Sequence, residues 1–239
     1  MVYGVILASG IGKRMGADIP KQYLKLNGKP VIIYTIESMI EVDKIDYIYI
    51  AVSDVYVEYM HSIVNEYFSS NMIKKIKIIV GGVERIDTIS NAIKNISEAN
   101  DINDNDVVLF HDAVRPFVTK KILEDSIEGA IKYKATVVGL PVVDTMLYSP
   151  NGKKVECIPD RSYIFHGQTP DSFKIKYFIR LMENLTDEQK KMIMGTSQIC
   201  TYNNKPIYIV DGDPLNFKIT TEEDFMRAKM VVERRREDM

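Results

Sequence analysis

Apolar residues along this chain fall into short β-branched runs, separated by longer stretches in which apolar positions recur every three or four residues. VYGVILA (2–8), DYIYIAV (46–52), KIKIIVG (75–81), DVVLFHD (106–112) and ATVVGLPV (135–142) predict five strands. Helical periodicity fills the stretch from Pro30 to Val42, where Pro30 suits a first turn, and the stretch from Arg85 to Ile96. Alternation of this kind predicts an α/β fold with a doubly wound, mostly parallel sheet. Because the strands are apolar nearly throughout, helices should cover both of its faces. In such a sheet ligands bind outside the C-terminal strand ends.

The pattern changes at Val143. DTMLYSPNGKKVECIPDRSYIFHGQTPDSF (144–173) reads as strand, Pro-Asn-Gly turn, strand and irregular stretch, which predicts a protruding β-arm over about 143–170. Helical periodicity returns from Ile175 to Leu185 and again after Thr186, whose hydroxyl and Gln189 suit a capping box. PIYIV (206–210) predicts a further strand, and Thr221-x-x-Asp224 opens a final helix. With no repeat, low-complexity segment or Pro-rich linker, the expectation is one domain over 1–239 carrying the arm.

Composition narrows the partners. The chain has 239 residues, 46% of them hydrophobic, and its 31 Lys and Arg against 33 Asp and Glu leave a net charge of -2. No global field draws it to nucleic acid or to an acidic membrane, so neither is an expected partner, and any anion site must be built locally. ERRRED near the C-terminus mixes both signs and reads as a solvated helix end. Cys157 and Cys200 have no second Cys or His at metal-ligand spacing, which points to a reducing, cytoplasmic setting rather than to zinc or disulfides. The first apolar run is too short for a signal peptide, and no window approaches the roughly 20 apolar residues of a membrane span.

Candidate chemistry begins in ILASGIGKRMGADIPKQY (6–23). A dinucleotide fingerprint fails because Gly10 and Gly12 are followed by Met15 and only then Gly16, and the second strand is followed by its acid, Asp54, too far along. A P-loop fails because Leu7 stands at its first glycine and Arg14 at its hydroxyl. What remains is a glycine-rich loop with Lys13, Arg14 and Lys21 at one strand end, suited to a polyphosphate; a tight turn with solvated cations is the alternative. HDAVRPF (111–117) ends the fourth strand, placing Asp112 and Arg115 where ligands bind, with His111 read as structural. GGVERIDT (81–88) ends a strand and starts a helix, whose N-terminus favours polar or anionic groups. NFKITT (216–221) puts Lys218 in an apolar context.

Taken in order, ILASGIGKRMG…PKQY, GGVERIDT, HDAVRPF, VVDT, DRSYIFHGQTPDSF and NFKITTEEDF resemble the CTP-dependent cytidylyltransferases for sugar-alcohol phosphates, over essentially the whole chain. The resemblance implies a Rossmann-like, glycosyltransferase-A-like nucleotidyltransferase fold and transfer of CMP from CTP to a polyol phosphate, with release of pyrophosphate. It implies that Ala8, Ser9, Gly10, Gly12 and Lys13 wrap the CTP phosphates, and that Arg14, Lys21 and Lys218 are catalytic. Gly82, Arg85 and Thr88 would lie at the cytosine side, with Asp112 at the nucleotide and as the one candidate protein ligand to a Mg²⁺ held mainly by CTP. Arg115 and Thr145 would face the acceptor, and Arg161, on the arm, would reach it across a homodimer.

Two branches of the family differ in acceptor. HDAVRPF and HGQTPDSF look more like the ribitol 5-phosphate branch, which is the expectation; VVDTM and PDR also suit the 2-C-methyl-D-erythritol 4-phosphate branch, which is the alternative. MIMGTSQIC (192–200) departs from the acidic motif usual in both, with Met194, Gly195 and Thr196 over its first three positions and a shift of two placing Thr196 at the hydroxyl. A non-catalytic nucleotide-binding protein is the remote alternative, disfavoured by the presence of Arg14, Lys21 and Lys218.

Overall fold

The computed structural model describes residues 1–10 and 19–237. In chain order the elements are β1 (Val2–Ala8), β2 (Lys25–Leu26), β3 (Lys29–Pro30), α1 (Val31–Ile40), β4 (Tyr47–Val52), α2 (Val57–Tyr67), α3 (Ser70–Ile73), β5 (Ile76–Val80) and α4 (Arg85–Ala99). They continue with β6 (Val107–Asp112), α5 (Lys120–Tyr133), β7 (Ala135–Pro141), β8 (Phe165–Lys174), α6 (Ile175–Glu183), α7 (Asp187–Lys191), α8 (Gln198–Tyr202), β9 (Tyr208–Asp211) and α9 (Glu222–Glu237). Among the described residues seven strands form one sheet in the order β5-β4-β1-β6-β8-β7-β9, and β2 and β3 form a separate small ribbon. β5, β4, β1 and β6 are mutually parallel, as their apolar sequences require.

Successive strand residues feed opposite layers. Ile6, Ile50 and Leu109 pack with α1, α2 and α5 through Ile33, Ile36, Ile63, Leu123 and Ile127. Their neighbours Val5, Ala51 and Phe110 pack with α4 and α6 through Ile89, Ile93 and Phe178, and with Phe173 of β8. Each such fully buried aliphatic or aromatic side chain contributes about 1.5–3 kcal/mol relative to exposure, so the doubly covered sheet is the main source of stability. Leu26, Val31, Val114, Phe117, Ile219, Ala228 and Val232 make a smaller cluster beneath α9, joining the β2–β3 ribbon to the C-terminal helix.

The expected helix ends are present. Thr186 Oγ1 accepts from Gln189 N at 3.2 Å while Gln189 Oε1 accepts from Thr186 N at 3.0 Å, and Thr221 and Asp224 make the same reciprocal pair ahead of α9. One expectation is corrected. Residues 165–170, assigned to the arm, belong to β8, which runs antiparallel between β6 and β7. Gly167 and Pro170 gave this stretch an irregular look, but its register shifts between Val137 and Val138, and a proline is tolerated at such an irregularity. The projection is therefore 142–164, closed at its base by Val142 N donating to Ile164 O at 3.1 Å. Its two expected strands reduce to one antiparallel bridge, Tyr148 with Cys157. The intervening turn is as read: Asn151 Oδ1 accepts from Lys153 N and Lys154 N at 2.9 and 3.0 Å, and Gly152 has φ +68°.

Candidate active site

β1 lies between β4 and β6, and the chain leaves it first toward β4 and β5 and later returns to β6. This reversal of strand order opens a crevice at the C-terminal ends of β1 and β6. A cavity of about 490 Å³ fills it, lined by Ala8, Ser9, Gly10, Lys21, Gly82, Arg85, Thr88, Asp112 and Lys218 among others. The structure thus brings four sequence-distant motifs together. Gly12, Lys13 and Arg14 lie outside the described residues.

The first wall is held by hydrogen bonds that sequence reasoning missed. Gln22, 4% exposed, donates through Nε2 to Ala8 O at 2.7 Å and to Gly10 O at 3.0 Å. Its amide therefore fixes the course of the chain out of β1, and its place next to Lys21 in a polar-looking run was the available signal. Ser9 Oγ donates to Ala51 O and pairs with Thr88 Oγ1, both at 3.2 Å, and Thr88 Oγ1 accepts from Gly82 N at 3.0 Å. One hydroxyl pair thus joins the ends of β1, β4 and β5 to the first turn of α4. Gly81 and Gly82 are needed for closeness: a Cβ on Gly81 would sit 1.8 Å from Ser9 Oγ, and one on Gly82 would sit 2.1 Å from Asp87 Cβ.

The second wall is electrostatic. Asp112, the last residue of β6 and 5% exposed, takes Arg85 Nη1 on Oδ1 at 3.0 Å, and Arg115 Nε and Lys218 Nζ on Oδ2 at 3.3 and 3.0 Å. Burial alone would raise its pKa, but Arg85, Lys218 and Arg115 outweigh it and hold the carboxyl well below the usual carboxylate range. Three cations share one carboxylate, so the cluster carries net positive charge, and Arg85 and Lys218 border the cavity. Lys21 faces the same cavity from the first wall.

Arg115, expected at the acceptor, lies behind this wall. It is 8% exposed, does not line the cavity, and donates to Asn216 O at 2.8 Å and Gly167 O at 3.4 Å, tying the Lys218 loop and β8 to Asp112. Thr145 and Arg161 are exposed on the 142–164 projection and also do not line the cavity; Arg161 Nη1 donates to Val143 O at 2.7 Å. His111 is wholly buried: its Nε2 donates to Arg115 O at 3.1 Å and its Nδ1 accepts from Thr169 Oγ1 at 2.9 Å. Burial lowers its pKa to about 4, so it stays neutral, a brace for the loop rather than a proton-transfer group. Thr196 is likewise buried, within 3.4 Å of Arg85 Nη2, while Met194 beside it is 83% exposed.

Chemically the arrangement binds a polyanion and stabilises charge developing on it. It does not fit a protein-held metal: among the described residues there is no group of three or more His, Cys, Asp or Glu, and both Asp112 oxygens are taken by cations. No helix among the described residues is long and apolar enough to cross a membrane.

Similar solved structures share the whole architecture. A 4-diphosphocytidyl-2C-methyl-D-erythritol synthase from Anaerococcus prevotii DSM 20548 superposes with a TM-score of 0.79 at 23% identity, covering 97% of this chain and 96% of that one. The 2-C-methyl-D-erythritol 4-phosphate cytidylyltransferase of Francisella tularensis matches with 0.78 at 24% identity, covering 96% and 98%. That of Thermus thermophilus matches with 0.73 at 21%, covering 98% and 100%. These likenesses establish the fold, a Rossmann-like nucleotidyltransferase α/β sheet. The family model for IspD, 2-C-methyl-D-erythritol 4-phosphate cytidylyltransferase, matches residues 2–234. With a cationic crevice at the strand ends and a family match over nearly its full length, this chain belongs to the IspD family and is a cytidylyltransferase.

Proposed function

We propose that the enzyme transfers CMP from CTP to 2-C-methyl-D-erythritol 4-phosphate, releasing pyrophosphate and forming a CDP-polyol for isoprenoid synthesis. The family match supports this acceptor over ribitol 5-phosphate, the expectation drawn from HDAVRPF and HGQTPDSF, which gives way to its alternative. Those motifs carry less weight for the acceptor, for a physical reason. His111, Arg115, Gln168 and Thr169 are buried and brace the loops, so their identities report packing rather than the acceptor.

The single observation that carries the mechanism is the sharing of Asp112 by Arg85, Arg115 and Lys218 beside the cavity. An acceptor phosphate is already a charged nucleophile near neutral pH and needs no side-chain base. The barrier lies in bringing two polyanions together. In the proposed reaction Lys218 faces the α-phosphate and Lys21 the leaving pyrophosphate, while Ala8, Ser9 and Gly10 approach the phosphates through their backbone. Gly82, Arg85 and Thr88 form the cytosine side. The non-bridging oxygens on the α-phosphorus gain charge as the acceptor adds and pyrophosphate leaves, so fixed cations act mainly in the transition state. Gly12, Lys13 and Arg14 complete the phosphate loop in this reading.

The family generally uses a divalent cation. We take it to be Mg²⁺ arriving on the triphosphate as part of the substrate, since Asp112 has no free oxygen for it. The acceptor site is completed in a homodimer, where Thr145 and Arg161 of the projection reach the neighbouring crevice. A cytoplasmic site of action accords with two unpaired cysteines, Cys157 exposed and Cys200 buried. Pyrophosphate release with CTP, Mg²⁺ and a panel of polyol phosphates tests the proposal. Turnover on 2-C-methyl-D-erythritol 4-phosphate at least tenfold faster than on ribitol 5-phosphate is expected; the reverse preference would overturn the acceptor, and CTP binding without release on any acceptor would overturn catalysis.

A further inference from the structure

A second carboxyl lies behind Arg85, and the proposed reaction does not use it. Asp171, on β8, is 3% exposed and faces the loop that precedes α8. Its Oδ2 accepts from Ser197 N at 3.2 Å, which fixes the backbone directly after Thr196. Thr196, with no exposed surface, in turn accepts from Arg85 Nη2 at 3.4 Å. The link therefore runs from Arg85 to Thr196, and through the Ser197 N–H that follows it to Asp171.

Arg85 needs this second tether. Its Nη1 is held by Asp112 at 3.0 Å, while its Nε is buried with no hydrogen-bond partner. A planar guanidinium fixed at one nitrogen can pivot; fixed at two, it presents a set face to the cavity it lines. The loop supplying Thr196 is itself braced, because Gln198 Oε1 accepts from Met194 N at 2.6 Å and Gly195 N at 3.0 Å. Polar residues around Asp171 are thus arranged to hold a side chain, which an apolar wall of equal volume would not do.

We infer that Asp171 is a positioning residue for CTP binding: through Thr196 it sets the orientation of Arg85, and so couples the 193–198 loop, where the chain departs from its family's acidic motif, to the nucleotide pocket. The inference rests on the reading of this cavity as the CTP site. Asp171→Asn keeps the shape of the side chain but weakens the acceptor that holds Ser197 N. Thr196→Val removes the middle of the relay at nearly constant volume.

The experiment is a double-mutant cycle on CTP binding, measured by titration calorimetry with CTP and Mg²⁺, in the native protein and in an Arg85→Met background. D171N and T196V are each expected to raise the CTP Kd about tenfold in the native background, the size expected for a hydrogen bond to a charged group, and less than about twofold once the guanidinium is gone. Circular dichroism establishes that each variant is folded, and T196V carries the test if D171N does not fold. Equal weakening with and without the Arg85 guanidinium would overturn the relay, because a role in packing alone is indifferent to it. Unchanged CTP affinity in R85M would overturn the pocket assignment, and the relay with it.

Discussion

At the scale of single residues, charge decides both chemistry and stability. Lys218 is 3.0 Å from Asp112 and borders the cavity with Lys21. Removing a cation that acts chiefly in the transition state costs roughly 10²–10³-fold in turnover. Lys21→Ala and Lys218→Ala should therefore depress kcat by that order while CTP KM changes little, and steady-state kinetics showing raised KM at unchanged kcat would refute the assignment. Asp171 gives a prediction of opposite character. Burial pushes its carboxyl up to about 7, with Asp112 adding to the rise and Arg85 opposing it. A raised acid pKa means that the folded protein holds a proton the unfolded chain has released, so stability is fully present below about pH 4 and is lost as pH rises to about 7, with a slope approaching 1.4 kcal/mol per unit. His111, held neutral, acts with the opposite sign but equally in native protein and variant. Asp171→Asn should then gain Tm over the native protein at pH 8 and little at pH 4.5; a Tm difference constant across that range would exclude the carboxyl as its cause. A residue that binds substrate geometry at the expense of stability is the usual pattern of a functional site.

At the scale of elements, the site depends on how closely strand ends approach. The β5–α4 junction passes so near Ser9 and Asp87 that Gly81 and Gly82 leave no room for a methyl group. Gly82→Ala must displace the first turn of α4, at a cost of about 1–3 kcal/mol. It should also weaken CTP binding, because Arg85 and Thr88 move with that turn; an unchanged Tm and CTP Kd would show that the junction yields freely. The projection between β7 and β8 is tested separately. Arg161 is exposed and, among the described residues, is anchored to its own segment at Val143 O. Arg161→Glu should raise the acceptor KM about tenfold or more while CTP KM stays within about twofold, as loss of a charged hydrogen bond to one substrate requires. Equal effects on both substrates would place Arg161 in folding or assembly instead.

At the scale of the whole molecule, the projection presents apolar surface that a lone chain leaves wet. Val143, Leu147, Tyr148, Ile158 and Tyr163 are 76, 60, 54, 62 and 80% exposed. One bridge cannot hold such a segment stable by itself, and several large apolar side chains exposed on one short segment are the kind of surface that association covers. A second copy of the chain is the proposed cover. Light scattering should give twice the chain mass, and Leu147→Asp with Tyr163→Asp should halve it and impair acceptor use while sparing CTP binding. A native protein of single-chain mass, or a monomeric variant with full acceptor use, would remove the dimer from the proposal.

Periodicity alone determined the strands β1, β4, β5, β6 and β7, and most plainly β1, β4 and β6, because a central parallel strand buried on both faces must be apolar along its length. It also determined the helix caps at Thr186 and Thr221, which are local hydrogen bonds within four residues. Nine of the expected site residues converge on one cavity for a related reason: strand ends in a doubly wound sheet share one edge, so glycines and cations placed after strands meet there. Three things were decided only by tertiary structure. β8 carries polar side chains because Asp171 and Thr169 find partners in Ser197, His111 and Asp112, which no local pattern announces. Arg115 turned inward because the carbonyls of Asn216 and Gly167, 101 and 52 residues away in the chain, satisfy it there. Gln22, unremarkable in sequence, and Thr196, noted there only as a possible match to the hydroxyl position of a motif, became supports of the site for the same reason: a buried polar group takes its role from the partners that folding brings to it.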